Sequence, residues 1–152
     1  MYCPLILSCA PTTAINKILI LQKKAIRSIT NSPYNSHTAP LFLSLNILPF
    51  DKIIYLQKAL FMHSIHYKYQ HVSFNTTWNL NINREYDHTL RNLNDFYLPL
   101  PRTDAFKRST LYNLPKTWNE LPNEIKCHNN RFTFNICLKN EIFRQMGAGR
   151  QT

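Results

Sequence analysis

Glycine is nearly absent from this chain: Gly147 and Gly149, close to the carboxy-terminal end, are the only two. Glycine takes left-handed backbone without a steric penalty, so it is the default residue for ending helices and making tight turns. Here those positions must pass to asparagine, the next best residue for left-handed backbone, which occurs 17 times. The same scarcity excludes a glycine-rich loop that cradles phosphates, because no glycine precedes Gly147.

With 152 residues, 44% hydrophobic and 12% aromatic, the chain can form a packed core. A chain of this length fits one domain, or one and a small appendage, and buries roughly two thirds of its unfolded surface. Eighteen Lys and Arg against eight Asp and Glu give a net charge of +10. That excess points to a polyanion, whether RNA, DNA or an anionic membrane surface, and nucleic acid is read ahead of a charge that serves solubility alone because the cations cluster. The cysteines, Cys3, Cys9, Cys127 and Cys137, form no C-x-x-C pair, and reduced thiols in an intracellular protein, nuclear or cytoplasmic, are the simplest reading. No apolar run approaches the ~20 residues of a membrane span. The first residues lack a basic region and carry Pro4 and Pro11, so residues 1–13 are expected to be a loose lead-in.

The expected fold is mainly α: a small helical cluster, then a short β-hairpin element, then carboxy-terminal helices. After Pro11-Thr12-Thr13, the run from Ala14 to Thr30 predicts an amphipathic helix. Ile15, Ile18, Leu19, Ala25, Ile26 and Ile29 fall on one face, while Lys17, Lys23, Lys24 and Arg27 fall opposite within about 120°. Ile20 sits inside that basic arc and is expected to be exposed. A short apolar helix follows over Leu41 to Leu48, and a third opens at Pro49-Phe50-Asp51 and runs to about Tyr69. These helices make a basic amphipathic cluster over residues 14–69.

Residues 70–95 have no steady period and predict a loop or hinge. Phe96-Tyr97-Leu98 and Ser109-Thr110-Leu111-Tyr112 are β-prone and predict the hairpin, within a small α+β tail subdomain over residues 96–146. Pro115 and Pro122 bracket a helical turn around Trp118 and Leu121, Phe132 to Met146 predicts a last helix, and residues 147–152 a disordered end.

Metal-dependent polymerase or nuclease chemistry needs carboxylates converging on divalent ions. The eight acids include no adjacent pair; Glu85 and Asp87, flanking Tyr86, share a side only if that segment is a strand, and a solvated loop is the simpler reading. His63 and His66, three apart on the third helix, have the spacing of a shared metal, but fall on its polar half and read as solvated surface residues. Cys127, His128 and Cys137 lack the close spacings of a zinc knuckle. Asn75-Thr76-Thr77 is a formal glycosylation acceptor, meaningful only in a secreted chain. No catalytic residue, metal ligand or cofactor is expected. The constellation with functional content is basic and aromatic: Lys17, Lys23, Lys24 and Arg27 on one helix, and Arg102, Lys107 and Arg108 beside Phe96, Tyr97, Phe106 and Tyr112. Spaced cations track a phosphate backbone, and interleaved rings stack bases. Those rings could equally be core of the second half with the cations at its rim; Trp118 reads as a packing anchor.

Several pieces in a fixed order give the chain a resemblance to the carboxy-terminal tail of reverse transcriptases from non-LTR (LINE-type) retrotransposons. They are Leu21-Gln-Lys-Lys-Ala-Ile-Arg27, Asn31-Ser-Pro-Tyr-Asn-Ser-His-Thr38, Ile47-Leu-Pro-Phe50, His88-Thr-Leu-Arg91, Tyr97-Leu-Pro99 and Pro115-Lys-Thr-Trp-Asn119 with Leu121-Pro-Asn-Glu-Ile-Lys126. The resemblance implies a role in target-primed reverse transcription, in which the tail grips template RNA or target DNA beside the polymerase domain of a full-length element. It implies no catalytic residue here, since the tail lies downstream of the catalytic centre, so the chain is expected to be a truncated fragment of an RNA-directed DNA polymerase. The alternatives are a structural or interaction module, or a transposon relic without its own function. Two positions depart from the family pattern: Leu90 interrupts a Thr-Arg pair, and Leu114 stands where a glycine is usual, which predicts a strained turn.

Overall fold

The computed structural model describes residues 3–69, 78, 80 and 95–148, and the described residues are mostly helical. The helices are α1 (Cys3–Leu7), α2 (Thr12–Ile29), α3 (Thr38–Ser44), α4 (Phe50–His66), α5 (Asp104–Arg108), α6 (Thr110–Asn119), α7 (Asn123–Lys126) and α8 (Arg131–Ala148). None of them is long and apolar enough to cross a membrane.

α4 is the centre. α1, α2, α6 and α8 all pack against it, while α3 bridges α2 to α8. Its Ile54, Leu56, Ala59, Leu60, Met62 and Ile65 are buried, and so are His63 and Ser64. Most of them share one core with Leu114, Trp118, Leu121, Ile125, Phe134, Leu138 and Ile142 from the second half of the chain. Residues 14–69 and 96–146 therefore share a core. Residues 3–7, expected to be loose, form the short α1, whose Leu5 packs on that core.

The scarcity of glycine is resolved at the helix ends. α2, α3 and α4 are followed by Asn31 (φ 51°), Asn46 (φ 53°) and Lys68 (φ 56°), all in the left-handed region. At each, two backbone bonds close the helix. Asn31 and Ser32 donate to the Ser28 and Arg27 carbonyls, Asn46 and Ile47 to those of Leu43 and Phe42, and Lys68 and Tyr69 to those of Ile65 and Ser64. This is the Schellman pattern, here built on side-chain-bearing residues instead of glycine. Asparagine fills two of the stops, as expected from the composition; Lys68 fills the third.

At its amino-terminal end, α4 follows Pro49, which supplies no side-chain cap. Gln22 of α2 supplies one from a distance: its amide oxygen accepts from Phe50 N–H at 2.8 Å, and its Nε2 donates to the Leu48 carbonyl at 3.0 Å. One amide thus satisfies an orphan helix donor and pins α2 to the α3–α4 turn.

The expected hairpin is absent. Phe96 makes an isolated antiparallel bridge with Leu80, and the 104–108 and 110–119 segments are helical. Pro99 and Pro101 cannot donate to a ladder. Thr103 Oγ1 accepts from Phe106 N–H and starts α5, while Ser109 sits at the cap of α6. Phe96 also finds its partner elsewhere: the Asn119 amide accepts from its N–H at 2.9 Å and donates to its carbonyl at 2.8 Å. The predicted turn around Trp118 is a longer helix that contains Pro115. Leu114, where a strained turn was expected, lies inside that helix and is buried in the core. A glycine there would lose core packing, so leucine is the fitting residue.

Lys68 is the stop least suited to its backbone. A left-handed conformation costs a non-glycine residue about 1–2 kcal/mol, partly offset because glycine makes the unfolded chain more flexible. Lys68→Gly should therefore raise the unfolding free energy by about 0.5–1 kcal/mol in urea denaturation. A lower midpoint would show that the lysine side chain contributes more than its backbone costs.

Candidate nucleic-acid interface

α2 has 18 residues and spans roughly 27 Å. It is attached to the rest mainly by one flank, and Ile26 is its only buried residue. Lys17 and Lys24 are exposed, as expected, and so is Ile20 between them; Lys23 and Arg27 are half-buried. The expected apolar face packs incompletely. Ile15, Ile18 and Leu19 are half-buried, but Ala25 is exposed and Ile29 68% exposed, as is Leu21 beside them at 64%. The helix is rolled so that Lys23 and Arg27 approach the protein while Ala25 and Ile29 turn to solvent.

Arg27 is held rigidly. Its Nε and Nη2 both donate to the Ser36 carbonyl, at 3.0 and 2.9 Å, and its guanidinium lies 5.8 Å from the centre of the Tyr34 ring. The left-handed turn at Asn31 sends the chain back over the last turn of α2. It thereby frames an open pocket of about 600 Å³ lined by Lys24, Arg27, Ser28, residues 31–33 and Tyr34. Tyr34, 81% exposed, was not among the sequence-predicted site residues. The signal for it was the Asn31-Ser32-Pro33 stop, which folds the following ring back toward Arg27.

At the other end of α2 a cleft of about 350 Å³ lies against α1, α4 and α6, lined among others by Asn16, Asp51, Lys58, Arg108 and Asn113. The fold thus brings Arg108 to the start of α2. Lys58 points its ammonium at Asn113 Oδ1, 2.9 Å away, and burial pushes its pKa down. Asp51 supplies a negative charge that weakens the anion preference of this end.

The remaining predicted site residues are dispersed. Arg102 is exposed on the approach to α5. Lys107 bridges to Asp104 at 2.9 Å, a hydrogen bond that holds that carboxyl below its ordinary value. Of the interleaved rings, Phe96 is buried against Trp118, with ring centres 6.2 Å apart, and belongs to the core. Phe106 leans on Tyr112 at 6.3 Å, and Tyr97 is exposed. For Phe96 the packing alternative holds.

No three His, Cys, Asp or Glu side chains come together among the described residues. Glu85, Asp87 and the Asn75–Thr77 acceptor lie outside those residues. Cys127 is exposed and Cys137 half-buried, and both are free thiols. The two histidines correct the sequence reading, since neither is a solvated surface group. His63 is fully buried between Phe134 and Tyr67, with ring centres 4.4 and 4.7 Å away, and His66 lies 4.9 Å from Trp118. α6 and α8 pack on α4 and cover its polar half where the two histidines stand. His63 Nε2 donates to the His128 carbonyl at 2.8 Å, which fixes the proton on that nitrogen; Nδ1 of each ring has no partner.

Burial pushes both imidazoles below their ordinary value; Arg131 adds to this at His63, and His63 and Lys126 add to it at His66. The unfolded chain, titrating near pH 6.5, takes up protons first on acidification. Stability should therefore be indifferent to these groups above about pH 6.5 and fall as the pH drops below it. Urea midpoints on either side of that pH measure it; a flat profile would contradict the burial of the rings. No protein-family model, curated protein or solved structure matches the chain.

Proposed function

We propose that the chain is a nucleic-acid-binding accessory region, the non-catalytic tail of a non-LTR retrotransposon reverse transcriptase that acts in target-primed reverse transcription. The observation that carries the binding role is the open basic flank of α2, where Lys17 and Lys24 are exposed with no carboxylate partner among the described residues and Arg27 is fixed beside them. The family assignment is supported by the ordered pieces of sequence, several of which hold the fold together. Gln22 of the Leu21–Arg27 piece caps α4, and Trp118 and Asn119 anchor the core and the return of the chain at Phe96.

Cations spaced along a rod of this length neutralise successive phosphates and release their counterions, which requires no base recognition. The region would thus hold template RNA or target DNA in place while chemistry occurs in the polymerase domain. Each duplex phosphate contact contributes about 0.9 to the slope of log affinity against log salt. Lys17→Ala with Lys24→Ala should lower that slope by about 1.8, read by fluorescence anisotropy over a salt series. An unchanged slope would remove α2 from the interface. The family assignment has its own test: transcripts that continue the reading frame upstream into a palm with paired aspartates would support it, and transcripts that encode an unrelated domain there would refute it.

A second reading has one specific observation in its favour. Leu21, Ala25 and Ile29 recur at four-residue steps as an exposed apolar stripe on α2. Such a stripe matches the seam by which one helix docks on another. In this interaction-module reading the charge is incidental and the stripe meets a polymerase domain or a second copy. Its signature is concentration-dependent association in sedimentation velocity, without nucleic-acid affinity, that is abolished by Leu21→Ser with Ile29→Ser.

A further inference from the structure

We infer that the pocket at the carboxy-terminal end of α2 is a single-nucleotide clamp in which Tyr34 stacks an unpaired base while Lys24 and Arg27 hold its phosphate. This rests on the nucleic-acid reading above and narrows it to single-stranded RNA or DNA at one defined place.

Tyr34 is 81% exposed and is not among the residues packed on the core. An aromatic ring left open to water has lost the packing that normally rewards it, yet this one is not free to wander. The left-handed turn at Asn31 and the fixed backbone of Pro33 set its position, and the Arg27 guanidinium sits 5.8 Å from its centre. The cation covers one part of the ring and leaves the remainder available for stacking. Base–aromatic stacking tolerates every base, because each has a π-face, but requires that the base be out of a duplex stack.

The phosphate side is equally prepared. Arg27 binds the Ser36 carbonyl through Nε and Nη2, which orients the plane of the guanidinium and leaves Nη1 for an anion. Lys24 stands one turn earlier on the same wall, and Ser28 and Ser32 add hydroxyls to the lining. The cavity of about 600 Å³ lies inside the roughly 300–1,000 Å³ range of small-ligand pockets. No carboxylate lines it, unlike the cleft at the other end of α2, where Asp51 is present.

The test uses the full chain and three probes: a short single-stranded oligothymidine, the same backbone with abasic sites throughout, and a duplex of equal phosphate number. Tyr34→Ala should weaken binding of the intact single strand about tenfold and leave duplex binding unchanged, with Tyr34→Phe close to wild type. The wild-type chain should hold the abasic strand no better than Tyr34→Ala holds the intact one. Equal affinity of wild type and Tyr34→Ala for the single strand would overturn the clamp while leaving the basic flank of α2 intact. So would equal affinity of the wild-type chain for intact and abasic strands. Failure of the wild-type chain to bind any of the three would overturn the clamp and the nucleic-acid reading together. Because Tyr34 carries no core contact, its variants should melt with the wild-type chain, so a loss of binding cannot be assigned to unfolding.

Discussion

Burial of α4 on nearly every side is the constraint on which the rest of this structure depends. A helix that carries Ile54, Leu56, Ala59, Leu60, Met62 and Ile65 around its circumference cannot face water on any broad flank. Two neighbours come from its own half of the chain, α1 and α2; the others, α6 and α8, come from beyond residue 100. Each fully buried side chain of this size contributes about 1.5–3 kcal/mol, but only once all the walls are in place. The polar fasteners serve the same end. Lys126 is paired with Asp95 at 2.9 Å, with both side chains largely buried, and the Tyr67 hydroxyl donates to the Lys126 carbonyl at 2.8 Å. These bonds tie the end of α4 and the segment leading to Phe96 onto α7, where a loose fit would leave a charge unpaired away from water.

The helices were legible where a residue's own segment decides its state. α2, α4 and α8 lie close to their expected limits because apolar period and stop residues are local properties, and the substitution of asparagine for glycine at the stops could be read from composition. What was not legible is what other segments impose. His63 and His66 project onto the polar side of α4 taken alone, yet His63 is buried and His66 half-buried because Phe134 and Trp118 arrive from elsewhere. Phe96, Tyr97 and Leu98 are β-prone in type, but β preference largely expresses packing against neighbours. At Phe96 the neighbour is the side-chain amide of Asn119, which satisfies both backbone groups without a partner strand. Leu114 was misread for the same reason: a family glycine implies a turn, whereas the leucine found here has a core position to fill.

The candidate site was legible in part. Lys17 and Lys24 are exposed on α2 as the helical projection requires, whereas Lys107 is engaged with Asp104 and Phe96 has gone to the core. Arg108 and the start of α2 meet only through the packing of α6 and α1 around α4, a juxtaposition that no local pattern encodes. Tyr34 escaped notice because it follows the helix stop, where the direction of the chain depends on the sign of a single φ angle at Asn31.

α2 combines two properties that would conflict in a core helix. It is fastened by buried Ile26, by half-buried Ile15, Ile18 and Leu19, and by the Gln22 amide and the Arg27–Ser36 bonds, and the rest of its surface stays open. The polar fasteners are directional and add to the narrow apolar contact in setting the roll of the helix. The roll leaves cations on one flank and Leu21, Ala25 and Ile29 on the next. Attachment along one narrow side leaves both the basic flank and the stripe open. It also makes them adjacent, so a strand held by Lys24 and Arg27 and a protein docked on Leu21 and Ile29 would lie side by side along one helix.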